Sequence, residues 1–341
     1  MRKVFKAILV GLLLTTMATM VFAGGKAQVG TGDKLVFRLS HVFLPEQPLH
    51  IALADVAKRI NERTNGQIEI VIYPDGQIAN GVDGAEQCRR GSLFINVYDP
   101  SCMGDWVPDY YALIGPMLYS NMEEYSAMCQ TDFAKSLNRK AEDQGFKVLA
   151  LDYNFGMRNM ITTEKKGQIK SIQDIQGLKM RVPNSNLWID TFTTLGAAPV
   201  GMAWAEVYNA LQTGVVDALE TSISDVLDNN LNEVAKYITK TAHFVATGAV
   251  AMSKTVWDKL TPEQQQIMQE EFTRGAAYNN DLVRKLEAES QQILESRGMV
   301  FNDIDLAPFR QRAKGWFDNN KTLTPGVYDV IMAELNKIRS K

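Results

Sequence analysis

The sequence LVFRLSHVFLPEQPLHIALADVAKRINERTNGQIEIVIY, residues 35–73, decides the fold class. Its first six residues, 35–40, alternate apolar and polar side chains, which predicts a strand. Apolar residues then recur at helical spacing from Leu49 to Ile60, which predicts an amphipathic helix. A second strand is predicted at residues 68–73. A strand, a helix and a second strand in this order predict parallel pairing and an α/β domain.

The same alternation continues along the chain in two sets. The chain has 341 residues, which is near the size at which a single core divides into domains. We therefore expect an α/β fold of two domains with a cleft between them. The first set adds a helix at 83–90, a strand at 93–98, a polar helix at 122–143 and a strand at 146–151; the second has a strand at 179–182, helices at 185–195 and 203–211, and a strand at 217–220.

Two extended stretches, residues 146–163 and 244–252, are long enough to cross from one domain to the other, which indicates a hinge. A long C-terminal helix is predicted from Thr261, as N-cap, and Pro262. It continues to Gly298 with Gly275 as the one breaker, so it spans roughly 55 Å and kinks or braces both domains. We expect domain I to comprise 33–156 plus 246–283, and domain II 157–245 plus 284–341.

The N-terminal segment is typical of a secretory signal peptide, residues 1–23. Basic residues at positions 2, 3 and 6 precede the apolar run 7–14, and Val21-Phe22-Ala23 has the small residues of a cleavage site. A permanent anchor is the alternative, but the run breaks at Thr15, short of the roughly 20 residues that a bilayer requires. We expect cleavage after Ala23 and export to the periplasm.

Composition narrows the classes of partner. The chain has 36 Lys+Arg against 39 Asp+Glu, a formal net charge of −3, so it lacks the basic surface that nucleic acid requires. Three cysteines at positions 88, 102 and 129 form no C-x-x-C motif, and buried free thiols are favoured over a bridge. Three histidines and no recognised catalytic or phosphate-binding motif argue against an enzyme, a metal site and a cofactor.

Two residues stand where a ligand could bind. His41 follows the first strand, at the end of a parallel sheet where ligands bind, but a role in stabilising the turn fits equally well. Arg181 is presented at a strand end because Pro183 keeps the preceding residue extended. Its planar guanidinium suits a carboxylate, since it can donate two parallel hydrogen bonds. A structural ion pair is the alternative, and spacing alone does not decide between them.

Several ordered segments resemble the solute-binding proteins of tripartite ATP-independent periplasmic (TRAP) transporters, the DctP-like family. The matching segments are LSHV at 39–42, PLH at 48–50, ERTNGQI at 62–68, YPDGQI at 73–78, GLKMRVP at 177–183, LGAAPV at 195–200 and EVYNALQTGVVD at 206–217. The resemblance implies a two-domain periplasmic binding protein that closes over a small organic acid. Such a protein delivers its ligand to a membrane permease, and we expect a monomer.

The resemblance also implies a binding site. Arg181 matches the arginine that clamps the ligand carboxylate, and Arg158 matches a second basic position, with a hinge ion pair as its alternative. Thr221 replaces an asparagine that commonly assists the carboxylate, and Trp204 stands where phenylalanine is frequent, which leaves the ligand's identity open. The expected binding residues are Arg181, Arg158, Asn184, Trp204, Thr221, His41 and Glu220. Two other functions remain open: a sensor module for a membrane receptor, and a periplasmic enzyme acting on a carboxylate.

Overall fold

The computed structural model describes residues 34–340, so the predicted signal peptide lies outside the described part. The nine described strands are β1 Leu35–Ser40, β2 Ile68–Tyr73, β3 Phe94–Tyr98, β4 Phe146–Thr162, β5 Lys179–Val182, β6 Ala198–Gly201, β7 Ala218–Thr221, β8 Tyr237–Ser253 and β9 Val300–Asn302. The helices are α1 Pro48–Arg63, α2 Gly81–Arg89, α3 Asp109–Leu113, α4 Met122–Cys129, α5 Asp132–Asp143, α6 Asn186–Leu195, α7 Val207–Gln212, α8 Ile223–Asp228, α9 Lys254–Trp257, α10 Pro262–Ser296, α11 Ala307–Asn319 and α12 Val327–Arg339.

The strands form two lobes that share one hydrogen-bonded sheet of order β2-β1-β3-β8-β4-β7-β5-β6, with β9 on β8. In lobe I, β1 pairs in parallel with β2 and β3. In lobe II, β5 pairs in parallel with β6 and β7. The prediction of a two-domain α/β fold with parallel pairing inside each domain is therefore confirmed.

The strands that pass between the lobes correct the expectation that the strands pair in parallel. β4 and β8 are 17 residues each, and they run antiparallel to one another through both lobes. β3 also pairs antiparallel with β8, and β4 with β7, so the complete sheet is mixed. The two predicted crossing stretches are present, but β8 begins at Tyr237, earlier than predicted. The predicted domain boundaries at 156/157 and 245/246 fall on these strands and the one at 283/284 falls on α10, and all three stay a prediction.

The structure corrects two helix predictions. The helix predicted at 122–143 is two helices, because Thr131 leaves the helical conformation and its hydroxyl caps α5 by accepting from Ala134 N. The helix predicted at 203–211 begins with a 3-10 turn, Trp204–Glu206, ahead of α7. The first break lies at a capping residue, which apolar periodicity does not register.

Helix α10 runs unbroken past Gly275, so this glycine is not the breaker that the sequence predicts. The helix packs against α1 in lobe I and α8 in lobe II, which is the bracing role given as the alternative to a kink. A Cβ on Gly275 would collide with the Val56 side chain of α1 and the Tyr153 hydroxyl of β4. The glycine is therefore a close-approach position, where α10 packs against both elements, and not a helix breaker. Thr261 and Gln264 form the predicted capping box at the start of this helix.

The core lies on both faces of the sheet, and the three cysteines are buried in it as free thiols. Burial raises the pKa of the Cys88 thiol to about 12. In the stretch from 34 to 340, no helix is both long and apolar enough to cross a membrane.

Candidate functional site

A cleft lies between the lobes, where β4 and β8 pass from one lobe to the other. We call its central part the inner chamber; it encloses about 630 Å³ not filled by protein atoms, including its opening to solvent. Its lining residues come from both lobes and from both crossing strands: Val42, Phe43, Gln47, Tyr98, Asp99, Phe155, Arg158, Arg181, Pro183, Trp188, Trp204, Thr221, Asp225 and residues 245–248.

Arg181 is one of two arginines that line the inner chamber, and the residue is only 3% exposed. Its Nε and Nη2 atoms donate to the carbonyl oxygen of Met202 at 3.3 and 2.9 Å, and the guanidinium lies 5.2 Å from the Trp204 ring centroid. Among residues 34–340 it forms no ion pair. Burial lowers the pKa of Arg181 to about 10, so the group stays protonated at neutral pH.

Arg158, on β4, is in contrast already paired. Its Nε and Nη2 atoms donate to the two carboxylate oxygens of Glu220 at 2.5 and 2.7 Å. His243 Nε2 lies 3.3 Å from the same carboxylate, and all three side chains are buried. Burial alone would raise the pKa of Glu220, but the Arg158 charge outweighs it and the pKa lies below its usual range. Arg158 Nη1 has no hydrogen-bond partner in the described residues, and Arg158 lines the inner chamber.

The rest of the inner chamber carries acceptors. Thr221 Oγ1 donates to Asp225 at 2.7 Å, and Gln47 Nε2 donates to Asp225 and Asp228, each at 3.1 Å. Asp99 accepts from the backbone N of Ser101 at 3.0 Å. Burial raises the pKa of both Asp99 and Asp225. The bonds from Gln47 join lobe I to lobe II across the cleft.

A second cavity, which we call the outer chamber, continues from the inner one. The two chambers share Val42, Tyr98 and Trp204. The outer chamber encloses about 1090 Å³, again including open solvent. The Ser101 and Ser185 hydroxyls meet across it at 3.2 Å, which makes a second contact between the lobes.

The structure places most of the sequence-predicted residues at this cleft. Arg158, Arg181, Trp204 and Thr221 line the inner chamber, and Asn184 lines the outer one. Glu220 forms an ion pair with Arg158 and orients it. An ion pair is the role that the sequence analysis gives as the alternative for Arg158.

His41 lines neither chamber. It is fully buried, accepts from Phe43 N at 3.1 Å through Nδ1, and its Nε2 lies 3.1 Å from His50 Nδ1. Burial lowers its pKa to about 3. This is the turn-stabilising role, since the bond to Phe43 holds the turn that brings that ring into the inner chamber.

Sequence reasoning missed Gln47, Tyr98, Asp99 and Asp225. Tyr98 and Asp99 end the predicted strand 93–98, so the strand-end rule that selected Arg181 could have found them. Gln47 and Asp225 are 178 positions apart, and no local pattern links them. In the described part of the chain, no group of three or more His, Cys, Asp or Glu side chains is placed to hold a metal ion.

Two lobes joined by crossing strands, with a buried cation in the cleft that forms no ion pair within residues 34–340, are the arrangement expected of a solute-binding protein. The model of the family described as DctP, bacterial extracellular solute-binding protein, family 7, matches residues 39–321. The chain belongs to this family, and it is a solute-binding protein of the TRAP type.

Solved structures and curated relatives agree with this assignment. A TRAP periplasmic solute-binding protein from Desulfovibrio salexigens, in complex with diglycerolphosphate, is 40% identical with a TM-score of 0.87, covering 90% of this chain and 98% of that chain. One from Fusobacterium nucleatum, with bound sn-glycerol-3-phosphate, is 39% identical with a TM-score of 0.86, covering 89% and 98%. The sialic acid-binding periplasmic protein SiaP of Vibrio cholerae is 31% identical over 258 residues, covering 75% of this chain and 79% of the relative.

Proposed function

We propose that this protein captures a small organic anion in the periplasm and delivers it to the membrane permease of a TRAP transporter. The observation that carries the proposal is Arg181, a cation that is 3% exposed and has no ion pair in the described residues. A buried charge without a partner is costly, so a bound anion is the group that best compensates it. Water excluded by closure would strengthen the contact through a lower local dielectric.

The anionic head is a carboxylate or a phosphate ester. SiaP of Vibrio cholerae is named for sialic acid, a carboxylate, whereas the structures 40% and 39% identical hold diglycerolphosphate and sn-glycerol-3-phosphate. Both heads present oxygen pairs that match a guanidinium fork. Arg181 and the open Nη1 of Arg158 would then grip the head together.

Capture would proceed by hinge closure. β4 and β8 are the two long connections, and their pairing is irregular between Asn154 and Gly156 and between Arg158 and Met160. Gly156, at φ +115, occupies a conformation that other residues rarely adopt. These features support a hinge near the proposed boundaries at 156/157 and 245/246.

We further propose that the protein acts as an exported monomer, with residues 1–23 removed, and releases its ligand chemically unchanged. The relatives named above are binding proteins, which supports this over catalysis. Recovery of a converted ligand after incubation would contradict it.

The experiment is thermal unfolding of residues 24–341 against a panel of carboxylates and phosphate esters, for the wild type and Arg181→Ala. A ligand at 100 times its Kd adds roughly 2.7 kcal/mol, which raises Tm by several degrees. We expect a rise with one anion class that disappears in Arg181→Ala. The matched control is Arg310→Ala, an exposed arginine of α11 that lines neither chamber. An equal rise in Arg181→Ala would refute the clamp.

A further inference from the structure

We propose that the inner chamber binds its anionic ligand together with one proton, and that Asp99 is the residue that takes up this proton. The inference rests on the proposed function, because it assumes that an anion occupies the chamber beside Arg181. It gives Asp99 a role in binding: the protonated carboxyl group donates a hydrogen bond, and its neutral form does not repel the anion.

The first observation is the balance of charge at the chamber. The guanidinium groups of Arg158 and Arg181 meet three carboxylates, those of Asp99 and Asp225 in the lining and that of Glu220, which is bonded to Arg158. With all five groups ionised, the chamber carries a net negative charge before any ligand enters. An anion adds to this charge, and like charges repel strongly where water is excluded. The complex therefore needs a compensating positive charge.

A proton meets this need better than a metal ion does. Asp99 and Asp225 are the two carboxylates in the lining of the inner chamber. In the part of the chain from 34 to 340, no group of three or more His, Cys, Asp or Glu side chains is placed to hold a metal ion. A divalent cation requires several oxygen ligands, whereas a proton requires a single carboxylate oxygen.

The hydrogen bonds of the two carboxyl groups assign the proton to Asp99. Asp225 accepts on both oxygens, on Oδ1 from Gln47 at 3.1 Å and on Oδ2 from Thr221 at 2.7 Å, and such bonds favour the ionised form. Asp99 accepts on Oδ1 from the backbone N of Ser101 at 3.0 Å and from the hydroxyl of the same residue. Its Oδ2 has no hydrogen-bond partner in the described residues. A proton on Oδ2 therefore displaces no existing bond.

The surroundings of Asp99 favour proton uptake when an anion binds. Burial raises the pKa of Asp99 and the charge of Glu220 adds to this effect, whereas the hydrogen bonds from Ser101 and the charge of Arg158 lower it. A bound anion removes water from the carboxylate and offsets the charge of Arg158. Both changes raise the pKa of Asp99 in the complex above its value in the ligand-free protein.

The other titratable groups near Asp99 are accounted for. Those of its own segment, Tyr98 and Cys102, are neutral, because burial raises the pKa of Tyr98 to about 12 and that of the Cys102 thiol well above its usual range. The charged groups of the other elements that face the chamber or bond to its lining are Arg158 on β4, Arg181 on β5, Glu220 on β7 and Asp225 on α8.

Two further carboxyl groups, those of Asp228 and Glu287, interact with Asp225 but line neither chamber. Burial raises the pKa of Asp228 to about 6 and that of Glu287 to about 7. They are the rival proton acceptors that the experiment has to separate from Asp99.

The experiment counts protons by isothermal titration calorimetry on residues 24–341. The probes are diglycerolphosphate and galactonate, each of which keeps one negative charge between about pH 5.5 and pH 9. If neither binds, the anion that raises Tm in the thermal panel replaces them. Binding enthalpies are compared in Bis-Tris and Tris, amine buffers that differ in heat of ionisation and do not compete as anions. The difference gives the number of protons taken up.

We expect an uptake that reaches about one proton per ligand within this pH range. The complex binds the proton more tightly than the ligand-free protein, so affinity falls as the pH rises from the pKa of free Asp99 to its pKa in the complex. Within that interval Kd should rise about tenfold per pH unit, and outside it Kd should be constant.

Asp99→Asn mimics the protonated residue, since the amide oxygen still accepts from Ser101 and the amide nitrogen donates. Proton uptake and the pH dependence of Kd should both disappear, and at about pH 9 the variant should bind at least about tenfold tighter than the wild type. A merely structural role would weaken binding at every pH. The matched control is Asp143→Asn, at the exposed last residue of α5, which should keep the wild-type uptake.

Three variants test the rival acceptors. Asp225→Asn, Asp228→Asn and Glu287→Gln should each keep an uptake of about one proton, whatever their effect on affinity. Loss of the uptake in any of them would overturn the assignment to Asp99.

Failure of this inference is separate from failure of the proposed function. Binding of an anion by the wild type without proton uptake would overturn the inference and leave the proposed function intact. Binding that requires added sodium ions would do the same, since a metal ion would then supply the charge. If no anion binds and the thermal panel gives no rise in Tm, both fail.

Discussion

At the scale of single residues, the two arginines of the inner chamber differ in what balances their charge. Arg158 has the buried carboxylate of Glu220, whereas Arg181 has a carbonyl oxygen and an aromatic face. The charge of Arg158 is therefore neutralised within the protein. The charge of Arg181 is not, and a bound anion can neutralise it.

This difference predicts opposite effects on stability. Arg158→Met should destabilise the ligand-free protein by roughly 3–5 kcal/mol, because it leaves Glu220 buried without its cation. Arg181→Met is the matched control: it removes a buried charge that no carboxylate balances, so ligand-free stability should be unchanged or higher. Urea unfolding of both variants measures this. The double variant Arg158→Met, Glu220→Gln should recover part of the loss, and no recovery would contradict the pairing argument.

The site could be predicted where one local rule applies. The sequence placed Arg181 at a strand end, and the resemblance assigned it the clamp. Gln47 could not be found in this way, because its function depends on Asp225 and Asp228, which lie in a distant helix of the other lobe. A side chain that acts by joining two lobes carries no signal in its own neighbourhood.

At the scale of elements, the same division between local and distant information appears. Helices with a regular apolar face, such as α1 and α10, were predicted within a few residues of their observed bounds. The antiparallel pairing of β4 with β8 was not, since pairing direction depends on where distant segments meet. Gly275 was misread for the same reason: its neighbours are on α1 and β4.

Gly275 gives a test of helix packing. Gly275→Ala improves helix propensity by about 1 kcal/mol, but the added methyl group would collide with Val56 and Tyr153. We expect net destabilisation of about 1–3 kcal/mol by overpacking. Gly315→Ala in α11 is the matched control, because its Cβ would meet only Asn319, at 3.9 Å, and it should stabilise by about 0.5–1 kcal/mol. Shifts of the same sign in urea unfolding midpoints would contradict this interpretation.

The contact between α10 and α8 gives a prediction about pH. Glu287 Oε1 accepts from Ser224 N at 3.2 Å, and burial raises the pKa of Glu287 from 4.5 to about 7, with Asp225 and Asp228 adding to the effect. The folded state therefore binds this proton more tightly than the unfolded state. The contribution of Glu287 to stability is present below pH 4.5 and is lost as the pH rises to about 7.

Glu287→Gln isolates this effect, since the amide oxygen can still accept from Ser224. One pKa unit corresponds to about 1.4 kcal/mol, so the variant should gain up to roughly 3 kcal/mol relative to the wild type between pH 4.5 and pH 8. The measurement is the difference between the two unfolding free energies across that range. A difference that does not change with pH would show that Glu287 titrates normally.

At the scale of the whole molecule, the two lobes are held by two kinds of connection. The covalent one is the pair of crossing strands, which permits a hinge. The other is a set of polar contacts. Gln47 with Asp225 and Asp228, and Ser101 with Ser185, lie across the cleft, whereas Asp109 with Thr324 and Glu124 with Arg339 join the proposed domains outside it. The contacts across the cleft are few, and a ligand that contacts both lobes adds to them. The equilibrium between the open and closed forms then depends on the summed free energy of the contacts across the cleft.

Gln47 is therefore the residue at which closure can be biased without changing the clamp. Gln47→Glu would place a third carboxylate against Asp225 and Asp228. The repulsion should raise the population of the open form, and the ligand should bind about 10- to 100-fold more weakly. Gln47→Ala removes the two hydrogen bonds without adding repulsion, and its effect should be smaller.

Small-angle scattering of the ligand-free protein should show a larger radius of gyration for the glutamate variant than for the wild type. Gln144→Glu, at the exposed glutamine that follows the last residue of α5, controls for the added charge and should change neither quantity. If Gln47→Glu keeps both the wild-type affinity and the wild-type radius, the contact of Gln47 with Asp225 and Asp228 does not contribute to closure.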